Sequence, residues 1–139
     1  TPEISSFSAV IAKELKVRHI IKAFQKKYVK QKKTVVLEGR DMSKIFLNAN
    51  VKFFIVCSPL KVAAKRRWLQ LKKGRKNISL AKVLKDLKKR DFMDRNRKHS
   101  PLERHANSVY INTAKLNIKA VLEKMSKIIE SKIRNKYGS

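Results

Sequence analysis

Lys88-Lys89-Arg90-Asp91-Phe92-Met93-Asp94-Arg95-Asn96-Arg97-Lys98-His99-Ser100-Pro101-Leu102 is the densest mixed-charge stretch of this 139-residue chain. It closes a segment in which Leu80, Val83, Leu84 and Leu87 recur at i, i+3, i+4 and i+7, the spacing of an amphipathic helix. If that helix runs through Arg97, then Arg90, Asp94 and Arg97 share one face as two guanidiniums around a carboxylate. Guanidiniums grip phosphate bidentately, and a carboxylate between them either holds them apart or accepts from a ribose hydroxyl. A solvated face of ion pairs would carry the same pattern. Pro101 is expected to stop the helix, because the residue before a proline is pushed out of the α region.

Taken from its start, the chain reads as helical over 2–33. Ile4, Phe7, Ile11, Leu15, Ile20, Phe24 and Tyr28 form an apolar stripe, and Lys13, Lys16, Arg18, Lys22, Lys26, Lys27 and Lys30 crowd the remaining positions. Such a helix suits an ordinary packed helix with a wet face, and also a membrane surface or an RNA backbone. Thr34-Val35-Val36-Leu37 predicts a short strand buried on both sides. Glu38-Gly39-Arg40-Asp41 follows it, either as a turn capping the next element or as the ligand-binding end of a strand in an open α/β sheet. The run 51–56 predicts a second buried strand, and Ser58-Pro59 starts a helix that includes Lys65, Arg66, Arg67 and Trp68 and closes at Gly74. Asn77 or Ser79 caps the helix of the opening stretch. A third strand is expected over 108–111 and a last helix over about 118–132. Strands alternating with helices indicate an α/β layered sheet.

The charge balance is extreme: 36 Lys and Arg face 10 Asp and Glu, a formal net charge of +26. Such a surface attracts polyanions, whether nucleotides, nucleic acid or an anionic membrane. A hydrophobic content of 42% is enough for a core, which argues against wholesale disorder. The single Cys57 excludes an internal disulfide and makes a reduced, cytoplasmic setting the expectation. No apolar run approaches the roughly 20 residues of a membrane span, and Thr1-Pro2-Glu3 reads as a helix N-cap with proline at the first helical position, not as a leader. His19, His99 and His105 are scattered without metal-ligand spacing, so no metal site is expected. No Ser/His/Asp arrangement is visible.

Three phrases then fall in register: Glu38-Gly39-Arg40-Asp41 after a buried strand, Lys65-Arg66-Arg67-Trp68-Leu69-Gln70-Leu71, and the stretch 90–102. With the terminal phrase Leu116-Asn117-Ile118-Lys119-Ala120-Val121-Leu122-Glu123-Lys124, they closely resemble the bacterial cytidylate kinase family over nearly the whole chain. The resemblance implies a P-loop nucleoside monophosphate kinase fold, here a partial three-layer α/β/α arrangement whose parallel sheet lacks its N-terminal strands. It divides one incomplete domain into 1–33, the end of the monophosphate-binding region and a helix; 34–73, core strands and helix; 74–102, a mobile lid and its flanking helix; and 103–139, a core strand and the C-terminal helix.

The implied activity is transfer of the γ-phosphoryl of ATP, with Mg²⁺, onto CMP or dCMP. By the same resemblance Arg18 and Asp41 face the cytosine, Arg40 and Arg90 the monophosphate and ribose, and Asp94 the ribose hydroxyls. Arg97 closes over both nucleotides, Arg66 contacts ATP, and Arg90 and Arg97 carry the catalytic charge. The chain departs from the family in three places. The serine that helps read the base falls at Ala9, with Ser8 one place off. The segment after Asp41 reads Met-Ser-Lys-Ile-Phe-Leu in place of a glycine-threonine phrase. A G-x-x-x-x-G-K-[ST] loop is absent, since the only glycines are Gly39, Gly74 and Gly138. In the family that loop's strand lies between the two strands corresponding to 34–37 and 51–56, so the chain is expected not to fold alone and to need a preceding segment or a second chain. An alternative partner class stays open, in which a kinase-derived basic fragment serves as a structural or RNA-binding component of a larger assembly.

Overall fold

A computed structural model describes residues 3–4, 14–74, 76–98 and 101–137 of the chain. Two compact units emerge: Thr1–Leu47 with Arg90–Glu103, and Asn48–Lys89 with Arg104–Ser139.

The second unit holds the sheet. Strand β1 (Phe53–Val56) pairs in parallel with β2 (Val109–Asn112), Phe53 opposite Val109 and Val56 opposite Asn112. Both strands are β-branched and aromatic, as the sequence predicts, although each is shifted or trimmed by one or two residues at its ends. Val109 N–H donates to the Lys52 carbonyl and Thr113 N–H to that of Val56, extending the ladder past both ends at 2.8 Å. Ile111 on β2 is fully buried, as are Ala64 and Val83, and these three are the apolar core among the described residues.

The unit's helices start close to where the sequence expects them, and of the two cap candidates before the second the structure uses Ser79. Helix α3 (Leu60–Lys73) begins after Pro59 and ends at Gly74, whose N–H bonds back to the Gln70 carbonyl at 3.2 Å. Helix α4 (Leu80–Asn96) is capped by Ser79, whose Oγ accepts from the Lys82 N–H at 3.1 Å. Helix α5 (Ile118–Tyr137) is capped by Asn117, whose Oδ1 accepts from the Ala120 N–H at 2.8 Å. Trp68 on α3 donates its indole N–H to the Ile78 carbonyl at 2.9 Å, tying the end of α3 to the approach to α4.

The first unit contains α1 (Leu15–Lys30), the short α2 (Met42–Ile45) and the last turns of α4 from Arg90 onward. Three expectations change here. The predicted strand 34–37 forms no strand, with a bend at Thr34 and Val36 91% exposed. A β-branched run becomes a strand only when a neighbour accepts its backbone hydrogen bonds, and among the described residues none does. The helix predicted over 2–33 is interrupted, because Glu14 is extended (φ −73°, ψ 117°) and α1 starts after it. The apolar stripe of α1 is also wet rather than packed: Ile20 and Phe24 are about 70% exposed and no α1 residue is buried. Thr1, Pro2, Phe7, Ser8, Ala9, Ile11, Lys13, His99, Ser100 and Gly138 lie outside the described residues.

Helix α4 ends at Asn96, several residues before Pro101, so the proline is not what stops it. The chain turns back instead, and Leu102 N–H caps the carbonyl of Asp94 at 2.7 Å. No described helix is long and apolar enough to cross a membrane.

Candidate functional site

The first unit gathers the charges that the opening stretch and the Glu-Gly-Arg-Asp phrase announce. Glu38-Gly39-Arg40-Asp41 leads into α2, with Asp41 at its N-terminal boundary. A Cβ on Gly39 would come within 3.0 Å of the Met42 side chain, so glycine lets the chain close over that methionine just before Arg40.

Arg40 Nε lies 2.7 Å from Asp94 Oδ2, and Arg97 Nη1 lies 3.7 Å from Asp94 Oδ1. The carboxylate is only 8% exposed and is gripped from both sides. Arg18 on α1 forms a short ion pair with Asp41, both side chains largely buried. The expected fork of two guanidiniums around Asp94 therefore exists, but one arm is Arg40 from a distant part of the sequence. The other arm, Arg97, sits just past the end of α4 and not on its face. Arg90 lies half-buried one turn before Asp94 on α4. A further pair, Lys44 with Glu103, was not visible in the sequence because its partners are remote from each other.

Burial is the main force on Arg97: it disfavours the charged guanidinium and pushes its pKa down. The nearby Arg18 pushes the same way, as does Arg40, while Asp94 and Asp41 oppose them. An arginine cannot escape by deprotonating near neutral pH, so it keeps its charge and the site keeps the strain. Among the described contacts, Arg18, Arg40 and Arg97 gather about Asp41 and Asp94, side chains of the kind that recognise phosphate and nucleoside groups. Among the described residues no three His, Cys, Asp or Glu side chains gather to hold a metal ion.

In the second unit, Arg66 on α3 spends its donors on the protein itself. Nη2 donates to the carbonyls of Thr113 (2.8 Å), Ala114 (3.2 Å) and Leu116 (3.3 Å). Nη1 donates to Thr113 Oγ1 at 3.3 Å and approaches Cys57 Sγ at 3.6 Å. Asn112 joins the two loops that leave the strands: Ser58 N–H donates to its Oδ1 and its Nδ2 donates to the Ser58 carbonyl, both at 3.1 Å. Neither network is legible in the sequence, because backbone carbonyls carry no sequence signature.

A parallel sheet with a helical crossover marks an α/β protein, and a guanidinium–carboxylate cluster stands in its first unit. The profile described as "Cytidylate kinase" matches residues 1–131. The chain belongs to the cytidylate kinase family, whose fold is that of the P-loop nucleoside monophosphate kinases. It is 35% identical over 138 residues to the cytidylate kinase of Clostridium tetani, covering 99% of this chain and 60% of that protein. Against the cytidylate kinase of Clostridium botulinum strain Loch Maree it is 38% identical over 128 residues, 91% of this chain and 56% of that protein. Against that of Fervidobacterium nodosum it is 34% identical over 137 residues, 98% of this chain and 62% of that protein. The chain thus spans about 60% of the length of the curated relatives it matches.

Proposed function

We propose that the gene product carrying this chain is a (d)CMP kinase, which moves the γ-phosphoryl of ATP onto CMP or dCMP and releases ADP with CDP or dCDP. An oxygen of the monophosphate attacks the γ-phosphorus, and the bond from that phosphorus to the β-bridging oxygen breaks. Such transfers ask a protein for positioning and charge neutralisation. The observation that carries the reading is the convergence of Arg18, Arg40 and Arg97 on Asp41 and Asp94, five side chains from three separate stretches of sequence.

Arg40 and Arg97 are the arms suited to the monophosphate, with Arg90 beside them, and Arg97 with Arg90 offsets charge developing on the transferred group. Asp94 is suited to the ribose hydroxyls. The Arg18–Asp41 pair offers cytosine a donor for O2 and N3 and an acceptor for its exocyclic amine. Magnesium would arrive with ATP as part of the substrate. The segment 74–102 would act as the lid that excludes water, and the reaction would take place in the cytoplasm.

A coupled assay of the full gene product with ATP and CMP tests the reading. CDP formation supports it, and a product that makes none overturns it. The 139-residue chain assayed alone is expected to make no CDP, because it has no Gly-x-x-x-x-Gly-Lys loop to seat the β- and γ-phosphates. The comparisons lend no support to the alternative of a structural or RNA-binding fragment. RNA affinity that falls steeply with salt and ignores CMP would favour that alternative.

A further inference from the structure

The family resemblance implies that Arg66 contacts ATP. Its surroundings point to a different task. One guanidinium draws together three backbone carbonyls, a threonine hydroxyl and a thiol, all from the loops that leave the carboxyl ends of β1 and β2. Its strongest contact, 2.8 Å to the Thr113 carbonyl, falls on an oxygen that also accepts the Leu116 N–H at 3.1 Å. That second bond closes a tight turn over 113–116. The turn is held on both flanks: Ala114 N–H donates to Asn112 Oδ1 at 3.1 Å, and Asn117 caps α5 immediately after it.

Three carbonyl dipoles aimed at one place repel each other and would repel a polyphosphate. A delocalised cation with a planar fork of donors is the side chain that neutralises them. The bonds are exposed and confined to one turn, so what they fix is the local geometry of that turn. The place is more telling. In open parallel α/β sheets the loops beyond the carboxyl ends of the strands form the ligand crevice. A two-substrate enzyme needs two nucleotide sites, and the guanidinium–carboxylate cluster of the first unit accounts for only one.

We propose that Arg66 is a positioning residue for the ATP site: it fixes the 113–116 turn, which serves as a wall of that site, and does not itself bind phosphate. The inference rests on the phosphotransferase reading above. It separates two roles that predict different behaviour of the turn before any ligand binds. All three carbonyl bonds come from Nη2, so lysine can keep part of them, but its one nitrogen cannot also hold the Nη1 partners Thr113 Oγ1 and Cys57 Sγ, and alanine loses every bond. Replacing a phosphate ligand would leave the ATP-free turn as it is, whereas replacing a turn-holding fork would loosen it.

The experiment uses the full gene product as wild type, Arg66→Lys and Arg66→Ala, with circular dichroism to confirm folding. Amide hydrogen exchange is followed over 113–116, with and without ATP. The expected result is exchange about tenfold faster in Arg66→Ala without ATP, a smaller rise in Arg66→Lys, and protection of the turn by ATP in the wild type. In turnover, KM for ATP should rise about tenfold in Arg66→Ala and less in Arg66→Lys, while KM for CMP and kcat at saturating ATP stay within about twofold. Unchanged exchange of the ATP-free turn in Arg66→Ala, or in Arg66→Lys and other folded variants that drop the Nη1 contacts, would overturn the proposal, as would a wild-type turn that ATP leaves unprotected. Arg66→Lys keeps the charge and the stem, so it serves where alanine impairs folding. Should the gene product make no CDP at all, exchange with and without ATP still decides the role of Arg66.

Discussion

Arg40 Nε lies 2.7 Å from Asp94 Oδ2, and this pair joins the Glu-Gly-Arg-Asp phrase to the end of α4. Asp94 is the member that is out of water, and Arg40 keeps 39% of its side chain exposed. Asp94→Asn removes the charge that two guanidiniums share. Breaking a fully buried pair costs about 3–5 kcal/mol, and the exposure of Arg40 lowers the expected loss to about 2 kcal/mol. Denaturant unfolding of the full gene product measures it, and KM for CMP should rise in the same variant.

Anions, and not pH, should tune the stability of this cluster. Burial and Arg18 lower the Arg97 pKa, so the folded state would bind fewer protons than the unfolded state only at strongly alkaline pH. There stability would rise with pH; between about pH 6 and 9 the guanidinium is charged in both states and contributes no slope. CMP should add stability by binding the folded state. At a concentration a hundredfold above its Kd, a ligand binding only the folded state stabilises by about 2.7 kcal/mol. Thermal melts with and without CMP across that pH range check both statements, and Arg97→Lys should shrink the CMP effect.

Trp68→Phe tests the link between α3 and the approach to α4. The ring can be replaced, but the indole N–H cannot, and the part-buried Ile78 carbonyl would lose its partner at 2.9 Å. The expected cost is about 1–2 kcal/mol, read from chemical denaturation by far-UV circular dichroism.

Ser79→Ala tests the cap of α4. Losing the Oγ that accepts from the Lys82 N–H should cost about 1 kcal/mol, and glycine at the same position should cost less. Denaturation midpoints of the two variants against wild type would show the order.

The helices were legible where local chemistry sets them. Ser79 and Asn117 cap α4 and α5, and Gly74 ends α3, because each cap is a contact within one turn of chain. The strand expected at 34–37 failed for the opposite reason: its β-branched residues are right, yet a strand is a property of a pair. The end of α4 was misplaced because Pro101 was given the stopping role, whereas Leu102 N–H reaches back to the Asp94 carbonyl. At the site, the residue types were readable but the pairing was not. Arg97 could be placed near Asp94 from spacing alone; Arg40 as its second partner is a tertiary fact, as is the engagement of Arg66 with 113–116.

The two hydrogen bonds between the Asn112 carboxamide and Ser58 make a side chain imitate a peptide group. Such mimicry demands a neutral amide, with one end giving a proton and the other receiving one. Deamidation would erase the giving end and leave two oxygens in opposition at 58, so spontaneous ageing at a single asparagine could loosen both exits from the sheet without altering any charged residue of the cluster.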